Sequence, residues 1–295
     1  MARSDSWDNP LTSGARKRWE NRQVDAIVQD LSSTAVVPAL EANMVAFWMG
    51  YGRAPGAELY EGDDLVRVVT GVSEPLFNGV FRARLIPNTV DSAIATTLAH
   101  VAPRRVPMFW WVAPWTRPAN LGTHLERHGF IHAGDSPAMA VDLRTLPEEP
   151  PKIADLVVAP VEDLETLRTW ARVAAIGTEF PERFHDDLVA LEAGVGLGPR
   201  EDFYTRYIAY QDGVAVATSA LLLHAGVAGI FAVATIPQAR RQGLGTAVTQ
   251  APLLEARRRG YRVGTLQSSP MGIPVYGRLG FREVCHPIGL YLWSP

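Results

Sequence analysis

Apolar positions along the chain alternate between two spacings. Val37, Leu40, Met44, Phe47 and Trp48 recur at helical intervals and predict an amphipathic helix over 33–50. Runs at 65–70 and 79–85 have the β-branched, aromatic character of strands, followed by a helix over 89–101 and an apolar strand over 108–112. A helix ending near His128 and strands around Phe130 and over 139–143 close the first half. Pro147 to Pro151, reading PEEPP, is an extended linker through which neither strand nor helix continues.

Beyond the linker come a strand at 156–158, helices over 162–175 and 182–193, and a loop at LGPRED. A meander follows: 207–211, a turn at Asp212-Gly213, 214–223, a turn at Ala225-Gly226, and 228–235. The chain finishes with a helix over 243–259 closed by Gly260, a strand over 263–268, a helix over 273–279, and strands over 281–285 and 288–293. Helices and strands alternating in this way predict an α/β (α+β) fold. The polar first 32 residues, with a candidate helix over 16–31, read as an arm lying on a neighbouring surface.

The 295 residues suffice for two domains. A net charge of −3 argues against nucleic-acid binding, and the single Cys285 against disulfides and cysteine metal sites, so no metal is expected. Without a membrane-length apolar stretch or a signal-peptide core, a cytoplasmic protein with no membrane contact is expected.

Chemistry concentrates in Ile230 to Ala247, IFAVATIPQARRQGLGTA. A strand turning through Gly243 and Gly245 into a helix aims main-chain N–H groups and the positive helix end at one point, which suits an anion. Arg240-x-x-Gly243-x-Gly245 resembles the acetyl-CoA signature of the GNAT superfamily of acyl-CoA N-acyltransferases, and Tyr276 to Phe281, YGRLGF, resembles its Y-x-[KR]-x-G-F segment. Leu125 to Phe130, LERHGF, aligns with the latter at an offset of 151 residues, which indicates a tandem duplication. The first copy has Leu125 for Tyr276 and Pro87, Asn88 and Thr89 where glycines would stand.

The resemblance implies two tandem GNAT-like domains, each a mixed, mostly antiparallel sheet flanked by helices. An arm covers residues 1–35, a degenerate domain 36–148, and a catalytic acetyltransferase domain 152–295. It implies transfer of an acetyl group from acetyl-CoA, the co-substrate, to a primary amine of a small molecule by direct attack in a ternary complex. A protein lysine or N-terminal acceptor and a non-catalytic acyl-CoA-binding module are the alternatives. Val233, Ala234 and Thr235 are implied to pair with the pantetheine arm. Arg240, Arg241, Gln242, Gly243, Leu244, Gly245 and Thr246 are implied to hold the pyrophosphate, with Ser269 near the pantetheine.

Tyr276 is implied as general acid. For the base, Glu179 leads over Glu182, Asp186, His185 and His224. Trp110, Trp111 and Trp115 are core or cleft wall. Duplication supplies internally the surface that single-domain relatives obtain by pairing, so a monomer is favoured over a homodimer.

Overall fold

The computed structural model describes residues 26–196 and 204–295. The expected helix over 16–31 and the LGPRED loop thus fall wholly or partly outside the described residues. The part of that helix within them, Ala26–Leu31, is not helical: it is tied to a hairpin by Val28 N donating to Gly226 O at 3.0 Å.

The first half runs α1 (Ser33–Tyr51), β1 (Glu58–Glu61), β2 (Val66–Val69), β3 (Asn78–Phe81), α2 (Val90–Val101), β4 (Met108–Val112), α3 (Leu121–Arg127) and β5 (Ile131–Asp142). The second runs β6 (Leu156–Pro160), α4 (Leu164–Gly177), α5 (His185–Val195), β7 (Tyr204–Gln211), β8 (Val214–His224), β9 (Val227–Thr235), α6 (Leu244–Arg258), β10 (Val263–Gln267), α7 (Ile273–Arg278) and β11 (Arg282–Trp293). Strand β1 has no counterpart among the predicted elements because its outward face is polar or exposed. The paired strands expected at each half's end are single twelve-residue strands, β5 and β11.

Local chemistry explains the boundaries. Asp163 Oδ1 accepts from Thr166 N at 2.8 Å while Thr166 Oγ1 accepts from Asp163 N, so two helix-end donors of α4 are satisfied reciprocally. Left-handed pairs, Asp212 with Gly213 and Ala225 with Gly226, make the tight hairpins of the β7–β8–β9 meander.

Among the described residues the eleven strands form one sheet, in the order β1-β2-β3-β4-β11-β5-β10-β9-β8-β7-β6. In each half one parallel pair interrupts the antiparallel ladders: β3 with β4, and β9 with β10. The halves join by exchanging their last strands. Ala138–Asp142 of β5 pair with β10, and Gly289–Trp293 of β11 pair with β4. Both sets are related by the 151-residue offset read from LERHGF and YGRLGF. As a result Met139 and Val141 sit in the second-half core beside Leu266 and Phe281, and Tyr291 and Trp293 pack on the first-half core.

Helix α1 lies where the two halves meet. It is buried nearly all round, not amphipathic as its apolar spacing predicts, because both halves cover it. Trp48 stacks on Phe81 of β3 at 5.9 Å, and Phe47 stacks on Phe231 of β9 at 3.9 Å. Asn43 Nδ2 donates to the carbonyls of Leu222 and His224 at 3.0 Å, capping the β8–β9 hairpin end. Tyr51 donates to Glu192 Oε1 at 2.7 Å. Glu192 in turn holds the buried Arg206 guanidinium, 2.6 Å from Nε. This fully buried charged knot ties α1, α5 and β7 together.

Candidate functional site: a strand splay and a helix N-terminus

Strands β9 and β10 run parallel and pair only at Ala228 and Gly229, after which they diverge. On its other side β9 stays paired with β8 as far as Thr235. The register slips between Thr218 and Ala220, where Ala232 takes a φ of 49°, a bulge that turns the strand's end outward. The chain leaving β10 goes the other way: Ser268 N donates to Pro137 O on β5 at 3.0 Å. Val233, Ala234 and Thr235 therefore present one backbone edge to a slot that no strand among the described residues fills.

The slot ends at the N-terminus of α6. Beyond β9 the chain makes a short helical turn at Pro237–Ala239, then passes through Arg241 (φ 66°) and Gly243 (φ 84°) into the helix. Gly243 caps α6 with no side-chain oxygen, so the first N–H groups of the helix keep their donors for a ligand. A Cβ on Gly245 would stand 3.8 Å from Val275 Cγ1 of α7 and 4.0 Å from Thr235 Oγ1 of β9. The missing side chain therefore opens into the slot between these walls. Arg241, Gln242 and Gly243 are exposed at its mouth, with Leu244 buried beneath and Thr246 half-buried.

Arg240 is placed differently from its neighbours. Its Nε donates to Thr235 O at 3.2 Å, Nη2 to Gly177 O at 2.9 Å, and Nη1 to Glu179 Oε1 at 2.8 Å. It clamps the end of β9 to the end of α4. Gly177 permits this close approach, since a Cβ there would lie 2.8 Å from Ala234 Cβ. Glu179, in the left-handed region at φ 60° and with its side chain exposed, is engaged by that guanidinium.

Tyr276 lies on α7 along the slot's other wall. Its ring is 8% exposed, edge-on to Phe281 at 5.9 Å, in a cluster completed by Met139 and Val141 of the exchanged strand β5. Burial lifts its phenol well above the usual tyrosine range, so it stays protonated. Its hydroxyl has no hydrogen-bond partner among the described residues. Ser269 is exposed at the turn into α7, where its Oγ accepts from Gly272 N at 3.3 Å.

The remaining candidates are dispersed. Glu182, Asp186 and Asp187 are exposed at the start of α5. His224 sits at the hairpin end beside Asn43, and Cys285 is half-buried on β11, its thiol raised by burial. Trp110 and Trp111 are core on opposite faces of β4, while Trp115 is partly exposed. The pocket lined by Leu31, Ser33, Asp142, Thr145, Arg282 and Glu283 lies at the opposite end of β10, beside Val263, away from the α6 N-terminus. Among the described residues no helix is long and apolar enough to cross a membrane.

One feature escaped sequence reasoning: the loop 71–77 of the first half faces the α4–α5 connection, with Phe77 edge-on to Phe180 at 6.0 Å. Only the knowledge that the strands are exchanged brings these distant segments together.

Residues 202–283 match the family described as Acetyltransferase (GNAT) domain. The chain is similar in structure to a GCN5-related N-acetyltransferase from Kribbella flavida, at 21% identity and a TM-score of 0.63, covering 86% of this chain and 95% of that one. A GCN5-related N-acetyltransferase from Sphaerobacter thermophilus aligns at 17% identity and TM-score 0.55, covering 92% and 94%. A tandem GNAT protein from the clavulanic acid biosynthesis pathway aligns at 13% identity and TM-score 0.55, covering 92% and 97%. No curated protein matches the sequence.

Proposed function

We propose that this chain, whose residues 202–283 match the GNAT acetyltransferase domain family and whose fold resembles that of a tandem GNAT protein, moves an acetyl group from acetyl-CoA to a primary amine of a small molecule by direct attack in a ternary complex. Residues 152–295 supply the chemistry, and residues 36–148 act as a degenerate partner that shapes the acceptor side. The observation that carries this reading is the slot itself: an unpaired strand edge at Val233–Thr235 leading to an uncapped helix N-terminus, with Gly245 leaving the way between them open.

The residues fit acetyl-CoA. Main-chain N–H groups from Gln242 to Thr246, with the exposed Arg241, suit a pyrophosphate. The free edge of β9 suits the amide-bearing pantetheine arm, which would add to the sheet as a strand does. A backbone N–H near the Ala232 bulge, such as that of Val233, would stabilise the oxyanion that forms as the amine attacks. Tyr276 keeps its proton and offers it to the leaving sulfur from a dry pocket, so its position matters more than its acidity. Arg240 holds the strand end in place, and Glu179 completes that clamp. Ser269 flanks the slot.

The wall contributed by the first half favours a small acceptor over a protein chain. Calorimetry with coenzyme A tests the site: wild-type protein binds, and Gly243→Val binds about 100-fold more weakly, a loss of about 2.7 kcal/mol. Undiminished affinity in that variant would overturn the site. A panel of amines with acetyl-CoA, followed by free thiol, tests turnover, which should require both an amine and Tyr276.

A further inference from the structure

The acyl-transfer reading leaves open what receives the amine, and the first half offers a built surface for it. The loop 71–77 is organised around Asn78, whose side chain is fully buried. Its Oδ1 accepts from Thr70 N at 3.0 Å and Gly71 N at 3.3 Å; its Nδ2 donates to the carbonyls of Val72 at 2.8 Å, Glu74 at 3.2 Å and Pro107 at 3.0 Å. A loop satisfied this fully presents its side chains in fixed places. Phe77 meets Tyr51 of α1 edge-on at 5.3 Å and Phe180 of the second half at 6.0 Å. Phe180 follows Glu179, the partner of Arg240, so this wall stands beside the end of β9.

Glu74 is the half-buried carboxylate on that wall. No hydrogen-bonded cation neutralises it among the described residues; Arg183, on the facing second-half segment, is the charged group that acts on it. It differs in this from Glu179, which is bonded to Arg240, and from Glu182, Asp186 and Asp187, which stand in solvent. Val72 and Leu76 on the same loop, and Phe180 against Phe77, are apolar side chains only partly covered by the core.

We propose that Glu74, Phe77 and Phe180 form the acceptor site, taking a primary ammonium joined to a ring-sized apolar group. Glu74 holds the ammonium and accepts one of its protons. The free amine then bonds to the thioester carbonyl carbon, the C–S bond breaks, and the second proton passes from nitrogen to the thiolate by way of Tyr276. Amide, free thiol and one proton on Glu74 balance the reaction. Burial lifts the Glu74 carboxyl above the usual range, with the Leu76 backbone N–H and then Arg183 opposing, which makes it a stronger base than a solvated carboxylate. The inference rests on the acyl-transfer reading.

The test uses the full chain with acetyl-CoA and four probes: phenethylamine, tryptamine, ethanolamine and putrescine. The aromatic amines should exceed the polar ones by about 10-fold or more in kcat/KM, as expected for a buried ring. Glu74→Gln should lower kcat/KM by about 100-fold and abolish the fall in rate at low pH, Glu74→Asp should restore part of it, and coenzyme A affinity should stay within about twofold. Phe77→Ala should erase the aromatic preference.

An unchanged pH profile and rate in Glu74→Gln would overturn the proposal. Should no probe turn over, calorimetry of phenethylamine with the wild-type coenzyme A complex decides: binding lost in Glu74→Gln supports the site, and no binding to wild type overturns it. Failure of the underlying reading looks different, because wild-type protein would then bind no coenzyme A.

Discussion

The two halves contain the same device in two states. In the second, β9 and β10 part after Ala228 and Gly229 and leave a slot. In the first, β3 and β4 pair in parallel at Gly79 and Val80 and also part, but the gap is closed by the chain itself. Arg117 N donates to Ala83 O and Leu85 N to Arg117 O, both at 2.9 Å, so the segment after β4 lies along the continuation of β3 as an added strand would. The connection explains why. Eighteen residues separate β4 from β5, against fourteen between β10 and β11, and the longer connection has chain to spare for Ala113–Arg117. The anion end is also missing. Helix α2 starts from a turn at Pro87–Thr89 where no residue adopts a positive φ, whereas Arg241 and Gly243 both do ahead of α6. A strand edge stays available only where the chain beyond the parallel partner is short and is pulled to the far side, as Ser268 is by Pro137.

The largest expected effect concerns what holds the halves in register. Glu192→Ala leaves Arg206 buried and uncompensated and removes the acceptor for Tyr51, so stability should fall by about 3–5 kcal/mol. Denaturant unfolding followed by tryptophan fluorescence measures this. A loss below about 1 kcal/mol, the worth of an exposed pair, would mean that the knot does not join the halves.

Much of this arrangement was legible in the residues, and what was not has a common cause. The β–turn–helix at Ile230 to Ala247 could be read because its glycines and arginines act locally, through backbone freedom and helix-end donors. The offset between LERHGF and YGRLGF recurs as the equal spans of β5 and β11. Strand exchange could not be read, since the apolar run Ala138–Val141 of β5 is buried on both faces and carries no signal for one neighbour over another. Nor could the burial of α1, where the pattern shows one apolar stripe and the fold covers the other sides with a second half. Arg240 illustrates the limit within the site. Its place in the motif suggests a phosphate contact, but three of its five N–H donors are engaged by Thr235, Gly177 and Glu179, partners that only the fold brings together.

Next in size is Tyr276→Phe, which keeps the ring in its cluster and removes only the hydroxyl. Turnover should fall by about 10²- to 10³-fold with coenzyme A affinity unchanged, within the usual range for a lost acid. The sign of its pH dependence follows from burial: a phenol raised above its ordinary value remains protonated through neutral and mildly alkaline pH. The wild-type rate should therefore show no decline attributable to Tyr276 below about pH 10, the unperturbed tyrosine value. Leu125, its counterpart on α3, is fully buried, and Leu125→Tyr should confer no activity on a Tyr276→Phe background. Thiol release from that double variant would break the distinction between the halves.

The smallest effect probes the plug. Thr116 is 1% exposed, and its Oγ1 accepts from Ala113 N at 2.9 Å, which fixes the turn that carries Arg117 onto β3. Thr116→Val keeps the shape and strands that buried donor, for a loss of about 1–3 kcal/mol in stability. If closure alone separates the two slots, loosening the plug should let a second coenzyme A bind. If the helix end matters as much, calorimetry should still find one equivalent per chain, because Pro87–Thr89 lacks the positive-φ turn that is proposed to direct N–H groups at a pyrophosphate ahead of α6. One equivalent is the expected result. A second would show that a free strand edge suffices to bind the arm, and that the glycine turn sets only which of two open slots fills first.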